Sequence, residues 1–190
     1  EIQWVKELHP DCAQYWESYD KYGLWNRRTA MAHCVWSDER ERRAMAEAGV
    51  MAVHCPDSNQ NLCSGVAPVK AMLNEGVRVA LGSDIAGGDR LNMLDVAAAA
   101  IRASKARRIL GWQTDFLTVP EAWFLAVSAE FFGGKPGFAL GEPLHALVLA
   151  DDALPQVKTP LERLERCLYR RQKDAVRAVW SAGRNVFRAM

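Results

Sequence analysis

Three short apolar runs in this sequence each lead to a residue able to do chemistry. Thr29 to Cys34 (Thr-Ala-Met-Ala-His-Cys) carries His33, Val50 to His54 ends in His54, and Val77 to Leu81 runs through Gly82-Ser83 into Asp84. Imidazole together with carboxylate is the donor set expected for zinc or iron in a hydrolytic site. Each residue alone also has a plain structural reading. A histidine at a strand end is commonly a hydrogen-bonded structural group, and an aspartate after a strand is a turn former or helix cap. Equivalent placement in three consecutive units favours a shared site. A structural zinc centre made from His33-Cys34 and His54-Cys55 is disfavoured, because the spacing fits no compact zinc motif.

The elements that must position these residues read as a repeat. The three runs are expected to be buried strands. Ser37-Asp38-Glu39 caps a helix that Gly49 stops, with Asp38 and Glu41 at capping-box spacing. After Pro56 the sequence predicts a polar loop, Asp57 to Asn61, then a helix from about Ala67 to Asn74, and after the third strand a helix from about Arg90 to Ile109. Repeated strand–helix units of this length imply parallel strands with right-handed crossovers. No strand is followed by G-x-G-x-x-G, which argues against a dinucleotide-binding sheet. A (β/α) barrel gathers its chemistry at the C-terminal strand ends, where His33, His54 and Asp84 fall.

Before this repeat, residues 1–26 predict two short helical stretches, with Trp4, Trp16 and Trp25 in the core. After residue 110 the pattern changes. Pro120 to Phe132 predicts an apolar helix, His145 to Leu149 a strand, Thr159 to Arg171 a solvated helix, and Ala175–Trp180 with Arg184–Phe187 a terminal hairpin. Strands this few must complete a sheet made elsewhere.

Composition narrows the class. The 190 residues are 49% hydrophobic and 25% charged, with a net charge of +1, as in a soluble globular chain. That balance excludes a nucleic-acid or anionic-membrane partner held by bulk charge, and no apolar run is long enough for a transmembrane helix. Five scattered cysteines without a C-x-x-C pair are expected to be reduced thiols in the cytoplasm. The opening Glu1-Ile2-Gln3-Trp4 has neither an initiator Met nor a signal segment and reads as a cut.

Met31-Ala32-His33-Cys34, His54-Cys55-Pro56-Asp57-Ser58-Asn59, Ser64-Gly65 and Leu81-Gly82-Ser83-Asp84-Ile85-Ala86-Gly87-Gly88 together resemble the amidohydrolase superfamily, and within it the guanine deaminases of bacterial type. Leu161 to Arg166 and Ala182 to Phe187 agree, so the resemblance runs end to end. It implies an α/β fold, the C-terminal part of a (β/α)8 metal-dependent hydrolase barrel (strands six to eight) plus part of a small β-sandwich. Residues 1–140 would be the C-terminal half of the barrel and 141–190 the C-terminal segment of the composite sandwich.

The implied activity is metal-dependent deamination of guanine to xanthine and ammonia, with one divalent metal per complete site, zinc or alternatively iron. Asp84 would be the metal ligand and would also carry a proton from the attacking water toward the leaving amine. His33 would face the water and the addition intermediate, donating a hydrogen bond to developing charge. His54 and Asn59 would position neighbouring loops or touch the substrate. Gly82 and Gly87-Gly88 would let the backbone turn tightly beside the site. His145 would be a surface or sandwich residue.

The family's H-x-H and H-x-x-E motifs are missing from this sequence, whose four histidines are His9, His33, His54 and His145. The chain is therefore expected to be an N-terminally truncated piece, inactive alone, aggregation-prone or held by a partner, and weak in zinc binding. Its expected partners are a purine and water, with no nucleic acid, no membrane, and a homodimer when full length. Trp36 and Trp112 are candidates for that interface, although burial in the core is the preferred expectation. Two alternatives stay open: deamination of another heterocycle, such as a triazine or an adenosine-like nucleoside, or a non-catalytic half-barrel that serves as a binding module.

Overall fold

The computed structural model describes residues 2–127, 137–151, 159–170 and 175–189. The chain forms two compact units, Glu1–Ala126 and Val127–Met190.

In the first unit the apolar runs become the strands β1 (Ala30–Ala32), β2 (Met51–His54) and β3 (Arg78–Leu81). They lie in the order β1-β2-β3, and both pairings are parallel. The register sets Ala30 beside Met51, and His54 at the end of β2 beside Leu81 at the end of β3. The ladder continues past the strand ends. The His33 N–H donates to the Val53 carbonyl at 2.8 Å, and the Gly82 N–H donates to the His54 carbonyl at 2.9 Å. That continuity brings three sequence-distant strand ends to one edge.

The central strand β2 is mostly buried, while β1 is largely exposed and, among the described residues, has β2 as its one ladder partner. The helices are α1 (Ile2–Leu8), α2 (Glu17–Asp20), α3 (Glu39–Ala48), α4 (Pro56–Asn61), α5 (Val69–Asn74), α6 (Met93–Ile109) and α7 (Val119–Val127). For α3, the Asp38 side chain accepts from the Glu41 N–H and Gly49 closes the helix in the left-handed region, as its sequence predicts. Helix α6 buries Val96 to Ile101 almost completely, because a run of alanines lets it approach α4 and β3 closely.

The second unit holds β4 (Ala146–Leu149), α8 (Pro160–Tyr169), β5 (Val176–Ser181) and β6 (Arg184–Arg188), with an antiparallel sheet in the order β4-β5-β6. The β5–β6 hairpin turns through Ala182 and Gly183 with φ of 47° and 77°, the two positive values that a type I′ turn demands. Thr159 and Glu162 form a reciprocal capping box on α8, and Pro160 occupies its first turn. No helix among the described residues is long and apolar enough to cross a membrane.

Several expectations need correction. Residues 56–61 are helix α4 and not a polar loop, because Pro56 presets the first helical turn and Ser58 and Asn59 are drawn inside. Trp4 is exposed; Trp25 is buried and lies 5.5 Å from the half-buried Trp16 ring. Trp36 and Trp112 are both exposed, Trp36 by 76%, so neither is core. Helix α6 begins at Met93, where Asn92 caps it, and leaves Leu91 exposed. Helix α7 is described only to Val127, and residues 128–132 of the predicted helix lie outside the described residues, as does Arg171. His145 is exposed and stands one residue before β4.

Candidate functional site

The C-terminal edge of the parallel sheet collects His33, His54, Asn59 and Asp84. His33 follows β1 directly and Asp84 follows β3 by three residues, and both hold left-handed backbone, with φ of 70° and 43°. Non-glycine residues in that region carry a cost, and such positions cluster at functional sites. The His33 Nε2 lies 3.9 Å from the Asp84 Oδ2, with the two side chains 43% and 41% exposed. Polar groups that face each other while open to solvent are available to a third party.

His33 is oriented from behind. Its Nδ1 lies 2.8 Å from the Asn59 Oδ1. An amide oxygen only accepts, so this contact is a hydrogen bond when Nδ1 carries the ring proton, and the Nε2 faces Asp84. Asn59 comes from α4, where its own N–H donates to the Cys55 carbonyl and its carbonyl accepts from the Ser64 N–H. The same helix reaches the Asp84 turn, because the Asn61 Nδ2 donates to the Gly87 carbonyl at 2.8 Å.

Within that turn the Gly88 N–H returns to the Asp84 carbonyl at 2.6 Å and the Ala86 N–H donates to the Gly88 carbonyl. A β-carbon at Gly87 would stand 2.6 Å from the Ser58 Oγ and 2.9 Å from the Asp84 Oδ2, and one at Gly88 would collide with the Ser83 carbonyl. These glycines serve close approach. The left-handed backbone at this edge falls on His33, Cys34, Asp84 and Ala86.

His54 sits apart from that exchange. It is 3% exposed, and burial, with His33 nearby acting in the same direction, holds its imidazole down to about 4. It is a neutral ring buried at the strand-end edge near His33. Burial and the Asp84 charge push the Cys55 thiol up to about 11. Burial and the Glu41 charge push Cys34 up to about 12. A cavity of about 540 Å³ opens beside His33, with Tyr15, Met31, Trp36, Glu41 and Ser64 in its wall, a volume within the range of small-molecule pockets. Burial, reinforced by Asp38, holds the Glu41 carboxyl there above the ordinary carboxylate range.

The donor chemistry fits a divalent metal in kind. One ligand atom each from His33, Cys55 and Asp84 lies within 4.8 Å of the others. Nitrogen, sulfur and oxygen donors are those zinc takes, although the sulfur would have to bind as a thiolate, which the burial of Cys55 opposes. Three donors are fewer than the four of a closed tetrahedral site. Cys55, set aside on spacing in the sequence, stands within reach of His33 and Asp84, and the participation of Ser58 and Asn61 is missing from the sequence reading. The signal available for those two was Pro56 at a helix start, which turns residues 57–61 from a loop into a helix facing the site.

Residues 1–122 match the family model described as the amidohydrolase family. A guanine deaminase of Rattus norvegicus is 37% identical over 152 residues, covering 80% of this chain and 33% of that protein. The crystal structure of a guanine deaminase from C. acetobutylicum with guanine bound in its active site is similar with a TM-score of 0.90 and 37% identity, over 98% of this chain and 46% of that one. An adenosine deaminase from Xanthomonas campestris with bound zinc is similar at a TM-score of 0.77 and 25% identity, over 97% of this chain and 42% of that one. The chain thus spans about a third of the curated relative and just under half of the solved structures.

Proposed function

The chain belongs to the amidohydrolase family, and from that premise we propose that it is the part of a metal-dependent aminohydrolase that carries His33 and Asp84, acting on guanine to give xanthine and ammonia. The observation that carries the proposal is the approach of the His33 Nε2 to the Asp84 Oδ2 at the C-terminal edge of a parallel sheet. The guanine held by the C. acetobutylicum relative supports the choice of substrate. In this reading β1, β2 and β3 are barrel strands six to eight. Residues 1–140 are the C-terminal half of the barrel and 141–190 belong to the composite sandwich.

Asp84 is the residue proposed to hold the metal, with further donors from H-x-H and H-x-x-E motifs in chain outside this sequence. Zinc is favoured by the zinc in the Xanthomonas campestris relative, and iron suits the same donors. The metal supplies Lewis acidity, which makes water a nucleophile near neutral pH. The Asp84 carboxylate, standing at the water and the amine-bearing ring carbon, takes a proton from the attacking water. It then returns that proton to the leaving amine as ammonia departs. His33, across from Asp84, orients the water and faces the charge that develops on the ring. His54 stays a neutral group buried at the strand-end edge. Five free thiols support a reducing compartment, and the exposed Trp112 offers surface for the proposed homodimer.

The zinc-bearing adenosine deaminase among the similar structures favours a second reading, the same reaction on an adenosine-like nucleoside. Ammonia release by the native protein containing this chain, measured with guanine, adenosine, a methylthio-nucleoside and a triazine, separates the two. Guanine turnover highest in the panel is expected. A nucleoside ahead of guanine transfers the proposal to that substrate. The 190-residue chain alone is expected to release no ammonia and to hold zinc weakly; turnover by the chain alone overturns the need for outside donors.

A further inference from the structure

Among the described residues, Asn59 is the side-chain amide that hydrogen-bonds to the proposed catalytic pair, and it does so from a buried position. It is 1% exposed, its backbone is tied at both ends of α4, and its Oδ1 meets the His33 Nδ1 at 2.8 Å. We infer that Asn59 is a positioning residue that acts through His33, holding the imidazole as the Nδ1–H tautomer with Nε2 turned to Asp84. The inference rests on the proposed reading of His33 and Asp84, and it names what orients the first of them.

A neutral imidazole carries one proton, and the hydrogen bond made by one nitrogen decides which nitrogen holds it. Two acceptors compete for that proton here. The Asp84 Oδ2 is 3.9 Å from Nε2, beyond hydrogen-bond reach, whereas the Asn59 Oδ1 is at full hydrogen-bond distance from Nδ1. Asn59 therefore wins, and the ring presents a lone pair to the site.

Packing does little of this orienting, since the His33 side chain is 43% exposed on a left-handed residue. Asn59, in contrast, cannot move without unmaking α4, whose Pro56 start and Cys55–Asn59 backbone bond fix its angle. The consequence revises the role implied for His33. A ring held this way, with its proton on Nδ1, accepts at Nε2 and has no proton there to donate.

The amide has one other arrangement. Its Nδ2 is buried without a partner among the described residues, and a turned amide would aim Nδ2 at the ring and force the proton onto Nε2. The test reads the tautomer directly. The native protein containing this chain is labelled with 15N-histidine and loaded with zinc, its His33 signals are assigned with a His33→Gln variant, and two-bond 15N–1H correlations identify the protonated nitrogen.

The Nδ1–H form is expected in the wild type and in Asn59→Asp, which keeps the acceptor. Asn59→Leu is expected to shift the ring toward the Nε2–H form and to lower kcat about 10- to 100-fold, with KM changed by less than about threefold. If Asn59→Leu does not fold, Asn59→Ser, too short to reach the ring, makes the same comparison. An Nε2–H ring in the wild type, or an unchanged tautomer in both shortened variants, overturns the inference. The spectrum does not depend on turnover. Lack of ammonia release from every heterocycle in the panel, beside an Nδ1–H ring, would therefore sink the proposed reaction and leave the orienting role of Asn59 decided.

Discussion

His33 and Asp84 face each other at 3.9 Å from residues that both hold left-handed backbone, φ 70° and 43°. Neither is glycine, so each conformation is maintained against a local cost of about 1–2 kcal/mol. Strand β1 ends into the first and the Gly82-Ser83 step leads into the second. The hydrogen bonds to Val53 and from Gly88 hold them there.

That arrangement predicts that two variants of Asp84 with the same loss of activity will differ in stability. In the native protein containing this chain, Asp84→Gly and Asp84→Ala should both lower kcat by about 100- to 10 000-fold, since both delete the proposed proton carrier. The glycine variant relieves the backbone and the alanine variant does not. Asp84→Gly should therefore be the more stable of the two by about 1 kcal/mol. Urea midpoints of the two variants check this, and an alanine variant equal to the glycine variant would show that φ 43° carries no cost.

Gly87 should be intolerant of any side chain. An added β-carbon meets the Ser58 hydroxyl at 2.6 Å and the Asp84 carboxylate at 2.9 Å, so Gly87→Ala must push one of them aside. The Ser58 side is buried in α4, and the Asp84 side chain, 41% exposed, is the freer to yield. In the native protein containing this chain, the expected outcome is lowered zinc content and a fall in kcat, with destabilisation of about 1–3 kcal/mol. Metal analysis of the purified variant beside wild type decides the matter; wild-type zinc content and kcat together would mean that the turn absorbs the methyl group.

The strands and their parallel order could be read from residues 29–81 because each is a short apolar run closed by Gly, Pro or a polar pair. The strand-end placement of His33 and Asp84 was legible for the same reason: polar groups at the end of such a run, or in the turn just beyond it, belong to the strand-end edge. Helix α4 was not legible. Its sequence, Pro-Asp-Ser-Asn-Gln-Asn, has no apolar period, and its helical state comes from Pro56 and from burial of Ser58 and Asn59 against the site. The exposure of Trp36 was equally hidden, since an aromatic side chain signals apolar surface without saying what covers it.

The hairpin in the second unit carries a removable cost. Ala182 holds φ 47° beside Gly183 at 77°, in a turn for which Asn-Gly is the preferred pair. Ala182→Asn should stabilise the protein by about 0.5–1 kcal/mol, because asparagine tolerates the left-handed region better than alanine does. The change is far in sequence from His33 and Asp84, so kcat should stay as it was. A lowered thermal midpoint in this variant would contradict the turn assignment.

His54 gives the fold an acid limit of its own. Burial first, and His33 second, hold its imidazole neutral down to about 4, whereas in the unfolded chain it protonates near 6.5. Between those values the unfolded chain binds the extra proton. Stability therefore falls as pH drops through 6.5 and goes on falling to about 4, at about 1.4 kcal/mol per pH unit. Above pH 7 the group contributes no pH dependence. The lowered carboxyls of Glu121 and Asp151 act in the acid range below about 4, so a comparison at pH 7 and pH 5 isolates the histidine. The raised carboxyls of Glu41 and Asp57 are common to both proteins and cancel between variant and wild type. Wild type should lose about 2 kcal/mol between those two pH values, read as a drop in urea midpoint, while His54→Asn should lose much less. Equal losses in the two proteins would mean that His54 is already protonated in the folded state at pH 5, and that the neutral state assigned to it beside His33 is wrong.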